Sequence, residues 1–106
     1  MKKISLIIMC YFCLTSFKAS YYHSSFHGTI TYSGEIYNEN KLTAASNVYP
    51  IGTRLKITNI ENNKSVIVKI NDKGSFSKVT LDLSKKAFER IAELEKGIIN
   101  IKIKKI

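Results

Sequence analysis

Val68-Lys69-Ile70-Asn71-Asp72-Lys73-Gly74-Ser75-Phe76, followed shortly by Leu81-Asp82-Leu83-Ser84, decides how this chain is read. Val68 and Ile70 alternate with Lys69, the period of a strand with one apolar face. The run ends in Asn71-Asp72, turns at Gly74 and reaches a second carboxylate, Asp82, just ahead of Ser84. Ser84 is a good helix N-cap, because its hydroxyl can accept from the free amides of a first turn. A carboxylate at the mouth of a strand can be held in a cleft by the scaffold and used for acid–base chemistry.

Working outward, Arg54–Asn59 alternates with Leu55 and Ile57 on one face, and Ser65–Ile70 does so with Val66, Val68 and Ile70. The polar Glu61–Lys64 joins them into a hairpin. Thr80–Leu83 is a short strand. The helix is expected from Lys85 to Lys96, with Ala87, Phe88, Ile91, Ala92 and Leu94 as its apolar stripe and Gly97 as its stop. Ile99, Ile101 and Ile103 alternate through a last strand. Nearer the N-terminus, Tyr22–Gly28 reads as a first strand followed by a loop. Thr31–Glu35 is a turn pivoting on Gly34, Leu42–Ser46 a small-residue strand, and Pro50–Thr53 a turn. Many short strands and one short amphipathic helix predict a mainly β fold. A small closed barrel suits them, because closure removes the edge strands that would pair with other chains.

The 106 residues suffice for one small domain. Met1-Lys2-Lys3 precedes an apolar run from Ile4 to Phe17, shorter than the roughly 20 residues a membrane span needs. A basic start and a short apolar run fit a secretory leader. The expected division is a leader over 1–19 and a domain over 20–106, with cleavage after Ser16 or Ser20 as alternatives. Export to the periplasm or cell envelope follows. Cys10 and Cys13 both fall in the leader, so the mature domain is expected to have no disulfide. Neither follows a small residue, so a lipid anchor is weakly supported, and membrane contact is expected only through the leader or such an anchor. The domain keeps fourteen basic side chains against eight acidic ones. That balance suits a polyanionic surface such as cell wall or anionic lipid, and equally a solvated basic face. Nucleic acid is not expected as a partner: the single helix carries mixed charge and no stacking platform is evident.

Several residues could carry chemistry. Burial would raise the pKa of Asp72, and Lys73 or backbone amides would lower it; a general acid needs the first to win. Local sequence alone favours an Asx-turn at that position. Asp82 reads as a structural partner of a helix N-terminus, or as a holder of a loop amide beside Asp72. Glu35, aimed by the Ser33-Gly34 turn, is the natural second carboxylate, and glycoside chemistry often uses two; the alternative is a solvated turn residue. His23 and His27 are four apart, yet no helix and no third ligand accompany them, so no metal site is expected. Tyr22, Phe26, Tyr32 and Tyr37 could stack on sugar rings or fill the barrel. No Ser-His-Asp order, phosphate loop or dinucleotide fingerprint is present.

Taken together the segments resemble the RlpA (rare lipoprotein A) family. Its Ala-Ser-Trp-Tyr-Gly and Phe-His-Gly blocks read Ala19-Ser20-Tyr21-Tyr22-His23 and Phe26-His27-Gly28 here. Its Thr-Ala-Ser-Gly-Glu matches Thr31-Tyr32-Ser33-Gly34-Glu35, and its Leu-Thr-Ala-Ala-His matches Leu42-Thr43-Ala44-Ala45-Ser46. Pro50–Thr53, Leu55–Asn59, Asn71–Phe76 and Leu81–Ser84 match further blocks in order. The resemblance implies a six-stranded double-psi β-barrel, monomeric, that cleaves peptidoglycan glycan strands without water. It would leave 1,6-anhydro ends and prefer strands lacking stem peptides. It implies Asp72 as general acid and base with Glu35 assisting. Ser46, Tyr22, His27, Asn71 and Lys73 would bind substrate, and Asp82, Gly28, Gly34 and Gly74 would shape the site. No cofactor or metal is implied. Ser46 stands where the family has a cleft histidine, and a hydroxyl does not titrate near neutral pH as imidazole does. Ser75 replaces a proline, and residues 20–106 hold the barrel without the SPOR domain of many members. The Ser46 difference favours a second reading, a non-catalytic wall-binding or wall-loosening module like the expansin barrels.

Overall fold

The computed structural model describes residues 17–74 and 78–106. The leader as far as Ser16, with Cys10 and Cys13, and the loop residues Ser75 and Phe76 lie outside the described residues. Among the described residues six strands form: β1 (Phe17–Tyr21), β2 (Thr43–Ser46), β3 (Arg54–Asn59), β4 (Ser65–Asp72), β5 (Leu81–Leu83) and β6 (Ile99–Lys105). A helix, α1 (Lys85–Ile91), lies between β5 and β6. The strands close into a barrel in the order β1-β5-β2-β4-β3-β6, the expected fold class. The β1–β5 and β2–β4 pairs are parallel and the remaining neighbours antiparallel.

Alternation along the strands builds the core. Leu55 and Ile57 of β3, Val66, Val68 and Ile70 of β4, Leu81 and Leu83 of β5, and Ile99 and Ile101 of β6 point inward and are buried. Ala87, Phe88 and Ile91 of α1 join the same cluster. Ser84 caps α1 as expected, its hydroxyl accepting from the Ala87 amide. It also accepts from the Thr43 amide at 3.3 Å, which ties the helix start to β2.

One irregularity positions the site. Across the parallel β2–β4 pair, Ala44 faces Ile70 but Ala45 faces Asp72, so Asn71 is an extra residue on β4. Such a β-bulge breaks the two-residue period. Val66, Val68 and Ile70 point into the barrel, and unbroken alternation would send Asp72 after them. The bulge sets Asp72 level with Ala45, whose side chain belongs to a second apolar cluster with Tyr22 and Tyr37 outside the main core.

Two boundaries differ from the sequence reading. The first strand is Phe17–Tyr21, and Tyr22–Gly28 instead holds a 3-10 turn at Ser24–Phe26. Phe17–Ala19 pair with Ile99–Ile101, and Ala19 is fully buried, so a cut after Ala19 would split β1. The helix stops at Ile91 rather than Lys96. The Asn59 and Asn62 side-chain amides both donate to the Ile91 carbonyl, at 2.7 and 3.0 Å. Ala92 then turns extended, and the chain tightens again in a 3-10 turn at Leu94–Lys96.

Asn59 is buried, and its side-chain oxygen also accepts from the Glu61 amide at 3.0 Å. Asn59→Ala leaves the Glu61 amide without its acceptor and the Ile91 carbonyl with one of its two side-chain donors, at an expected cost of about 1–3 kcal/mol. Urea unfolding followed by circular dichroism measures it.

Candidate active site

The register builds a row of side chains across four strands. Asp72 of β4 pairs with Ala45 of β2, Ala45 pairs with Asp82 of β5, and Asp82 pairs with Ser20 of β1. Directly paired residues project to the same face of a sheet. Asp82 lies between the inward Leu81 and Leu83, so that face is the outer one. The two aspartates stand two strands apart, about 9–10 Å between backbones, with only the Ala45 methyl between them. Both line one cavity of about 480 Å³ with Tyr22, Phe26, Thr29, Ile30, Ala45, Lys73 and Gly74.

The segment between β1 and β2 covers this face. Tyr22 and Tyr37 stack with ring centroids 4.3 Å apart and planes inclined by 11°. The Tyr37 hydroxyl accepts from the Lys85 amide at the start of α1, at 3.2 Å. The Tyr22 hydroxyl donates to Asp72 Oδ2 at 2.6 Å. Asp72 Oδ1 accepts from the Tyr32 amide at 2.8 Å and from the Lys73 amide at 2.9 Å. Burial, then the hydrogen bond to Asp72 and its charge, push the Tyr22 phenol far above its ordinary range. Tyr22 is therefore a permanent donor. Both Asp72 oxygens are held by donors, so its carboxyl group is fixed in place.

Asp82 differs. Ser20 Oγ donates to its Oδ1 at 3.0 Å. Burial first, and then the nearby Asp72 charge, raise its pKa above the ordinary aspartate value of 3.8, against the lowering effect of Ser20. Sequence reading gave Asp82 a structural part. The signal that it faces a covered site was present in Leu81-Asp82-Leu83: an acid between two core leucines on a short central strand must sit on the outer face.

Comparison with known proteins gives the family and the fold. The family described as Lytic transglycolase, a double-psi β-barrel domain, matches residues 15–103. The chain belongs to the lytic transglycolase family. It is similar to the protein named Endolytic peptidoglycan transglycosylase RlpA of Haemophilus influenzae, 45% identical over 86 residues, covering 80% of this chain and 30% of that one. The protein of that name from Campylobacter jejuni is 43% identical over 89 residues, covering 83% and 32%. The chain thus spans about a third of the length of these relatives. Among solved structures, a Clavibacter michiganensis expansin shares the fold at a TM-score of 0.68 and 24% identity, over 87% of this chain and 50% of that one. A Streptomyces papain inhibitor does so at 0.65 and 23%, over 84% and 92%.

Within this lytic transglycolase barrel the remaining expected site residues fall in two places. Lys73 lines the Asp72 cavity, its Nζ 4.7 Å from the Tyr32 ring centroid. Gly74 donates its amide to Asn47 Oδ1 at 3.2 Å. Glu35, His27, Gly28 and Asn71 line a second cavity, of about 590 Å³, with Lys41, Thr43 and Lys69. Gly34, at φ +94°, makes the turn that delivers Glu35 there. Glu35 bonds Lys69 Nζ at 2.8 Å and the Asn71 side-chain amide at 2.9 Å. The structure does not bring Glu35 into the cavity that holds Asp72. Asn71, 3% exposed, serves Glu35 on one side while its bulge turns Asp72 to the other. Ser46 lines neither cavity: it is 1% exposed, and its hydroxyl accepts from the Val48 and Tyr49 amides, both at 2.9 Å. His23 and His27 each serve a loop, accepting from the Ser25 and Glu39 amides. Tyr22 and Tyr37 are buried in their mutual stack, which leaves Phe26 and Tyr32 as exposed rings.

Lys69, then Asn71, hold the Glu35 carboxyl below its ordinary value of 4.5. A lowered folded-state pKa means stability that is complete above the unfolded value and lost as pH falls through the folded one. The pair is half-exposed, so its contribution is at most about 1 kcal/mol. Glu35→Gln is expected to lower the melting temperature slightly at neutral pH and to match the parent protein once both are acidified below Glu35's titration. Calorimetry at the two pH values checks it.

Proposed function

We propose that this chain is a lytic transglycosylase of peptidoglycan. It cleaves the bond between N-acetylmuramic acid and N-acetylglucosamine in glycan strands stripped of stem peptides and leaves 1,6-anhydro ends. The observation that carries the reading is the cleft in which two carboxylates flank Ala45, one of them fixed by three donors. The names of the relatives, endolytic peptidoglycan transglycosylase, point to the same substrate. Breaking a glycosidic bond without water needs a proton at the leaving oxygen and negative charge near C1 as positive charge grows there. It also needs exclusion of water in favour of the sugar's own C6 hydroxyl. Asp72 supplies the fixed anion, preorganised by Tyr22 and two backbone amides so that no reorganisation is needed at the transition state. Phe26 and Ile30, exposed at the cavity wall, offer apolar faces to sugar rings.

The same reading places the protein in the cell envelope, as a monomer exported by its leader. Cleavage ahead of Phe17 keeps β1 whole, with Ala19 buried between β5 and β6. Mass spectrometry of the exported protein is expected to give an N-terminus at or before Phe17, and never at Ser20.

A second reading, binding to wall glycan without cleavage, is favoured by one observation. Ser46 stands where the family has histidine, and among the described residues no imidazole lines the Asp72 cavity. One experiment separates the two. The protein and its Asp72→Asn variant are incubated with sacculi freed of stem peptides, and released sugars are analysed by mass spectrometry. The expected result is anhydro-ended products from the parent protein and a loss of about 10²–10³-fold in the variant. Retention on sacculi with no products from either protein would establish the binding module.

A further inference from the structure

Two carboxyl groups share the cleft, and their surroundings differ in kind. Asp72 receives the Tyr22 hydroxyl on one oxygen and two backbone amides on the other. Asp82 receives the Ser20 hydroxyl on Oδ1, and among the described residues no donor reaches Oδ2. We propose that Asp82 is the proton donor of this cleft and Asp72 its fixed anionic partner, because the β4–β2–β5 row aims both carboxyl groups into one cavity across Ala45 and leaves only Asp82 an oxygen free to carry and deliver a proton. This assignment rests on the transglycosylase reading and deepens it.

The groups facing Asp82 support the division. From β4 comes the Asp72 carboxylate, and after it Lys73, whose ammonium sits over the Tyr32 ring. From β1 comes the Ser20 hydroxyl, and from the covering segment the un-ionised Tyr22 phenol. Burial and the Asp72 charge both favour the protonated form of Asp82. Paired titratable groups whose environments push them apart mark an acid and its partner.

The step balances. Asp82 gives its proton to the glycosidic oxygen as the C1–O bond breaks, and the bond's electron pair leaves with that oxygen. Asp72 faces the positive charge that develops at C1. The C6 hydroxyl oxygen bonds to C1, and its proton passes to the Asp82 carboxylate. The enzyme returns to its starting protonation, and no water is consumed.

The test uses the full chain and its Asp82→Asn and Asp72→Asn variants on two substrates. One is denuded glycan; the other is an N-acetylmuramyl glycoside with a nitrophenolate leaving group, which departs without protonation. The amide introduced by Asp82→Asn keeps an acceptor for Ser20, and thermal unfolding confirms that each variant is folded. Asp82→Asn is expected to lose at least about 100-fold on glycan and markedly less on the activated glycoside, where only removal of the C6 hydroxyl proton still calls on Asp82. Asp72→Asn is expected to lose on both. An Asp82→Asn variant that matches the parent on glycan, or is equally impaired on both substrates, overturns the assignment and returns the proton to Asp72. Absence of anhydro products from the parent protein itself would overturn the transglycosylase reading, and this assignment with it.

Discussion

One extra residue governs this barrel's chemistry. Had β4 kept its period, the side chain after Val66, Val68 and Ile70 would be a fourth inward one, and an aspartate there would lie unpaired in an apolar core. A buried charge without partners costs several kcal/mol, so that arrangement would not survive. The Asn71 bulge turns Asp72 out to the face where Ala45 and Asp82 already point. Bulges often stand beside active sites because they re-aim a side chain without disturbing the strands around them.

The rest of the site is a set of supports for that change of phase. Asn71 stays buried and spends its amide on Glu35, which Lys69 holds from two positions earlier on β4. Tyr22 and Tyr37 form a stacked pair that reaches from the amide at the head of α1 to Asp72 Oδ2. The helix start, the covering segment and the end of β4 thereby fix one another. Ala45 is small for a reason visible in the register: a larger side chain there would fill the space between the two aspartates. Ser46, the position that differs from the family's histidine, has been turned to loop structure, its hydroxyl holding two amides of the chain that follows.

Much of this was legible in the residues. Leu55 and Ile57, Val66 through Ile70, and Ile99 through Ile103 carry a period of two that only strands satisfy, and Ser84 with the Ala87, Phe88 and Ile91 stripe carries a helix. The helix end was not legible, because what stops it is a pair of side-chain amides, Asn59 and Asn62, from a hairpin far earlier in the chain. The first strand was misplaced because Phe17–Ala19 read as the tail of an apolar leader, and only pairing with β5 and β6 shows those residues inside the barrel.

The residues alone carried strands β2 to β6, the helix start, the closed β-barrel and the family, since these rest on local periodicity and on ordered motifs. It also singled out Asp72, through its place between a strand and a glycine turn. Only the tertiary structure decided which carboxylates share a cleft. Glu35 stands among the sequence's candidates beside Asp72, yet it faces a different cavity, while Asp82 is brought level with Asp72 by a strand threaded between them. Such a pairing is set by register between strands distant in the chain, and register depends on a bulge whose energy comes from its neighbours in space rather than in sequence.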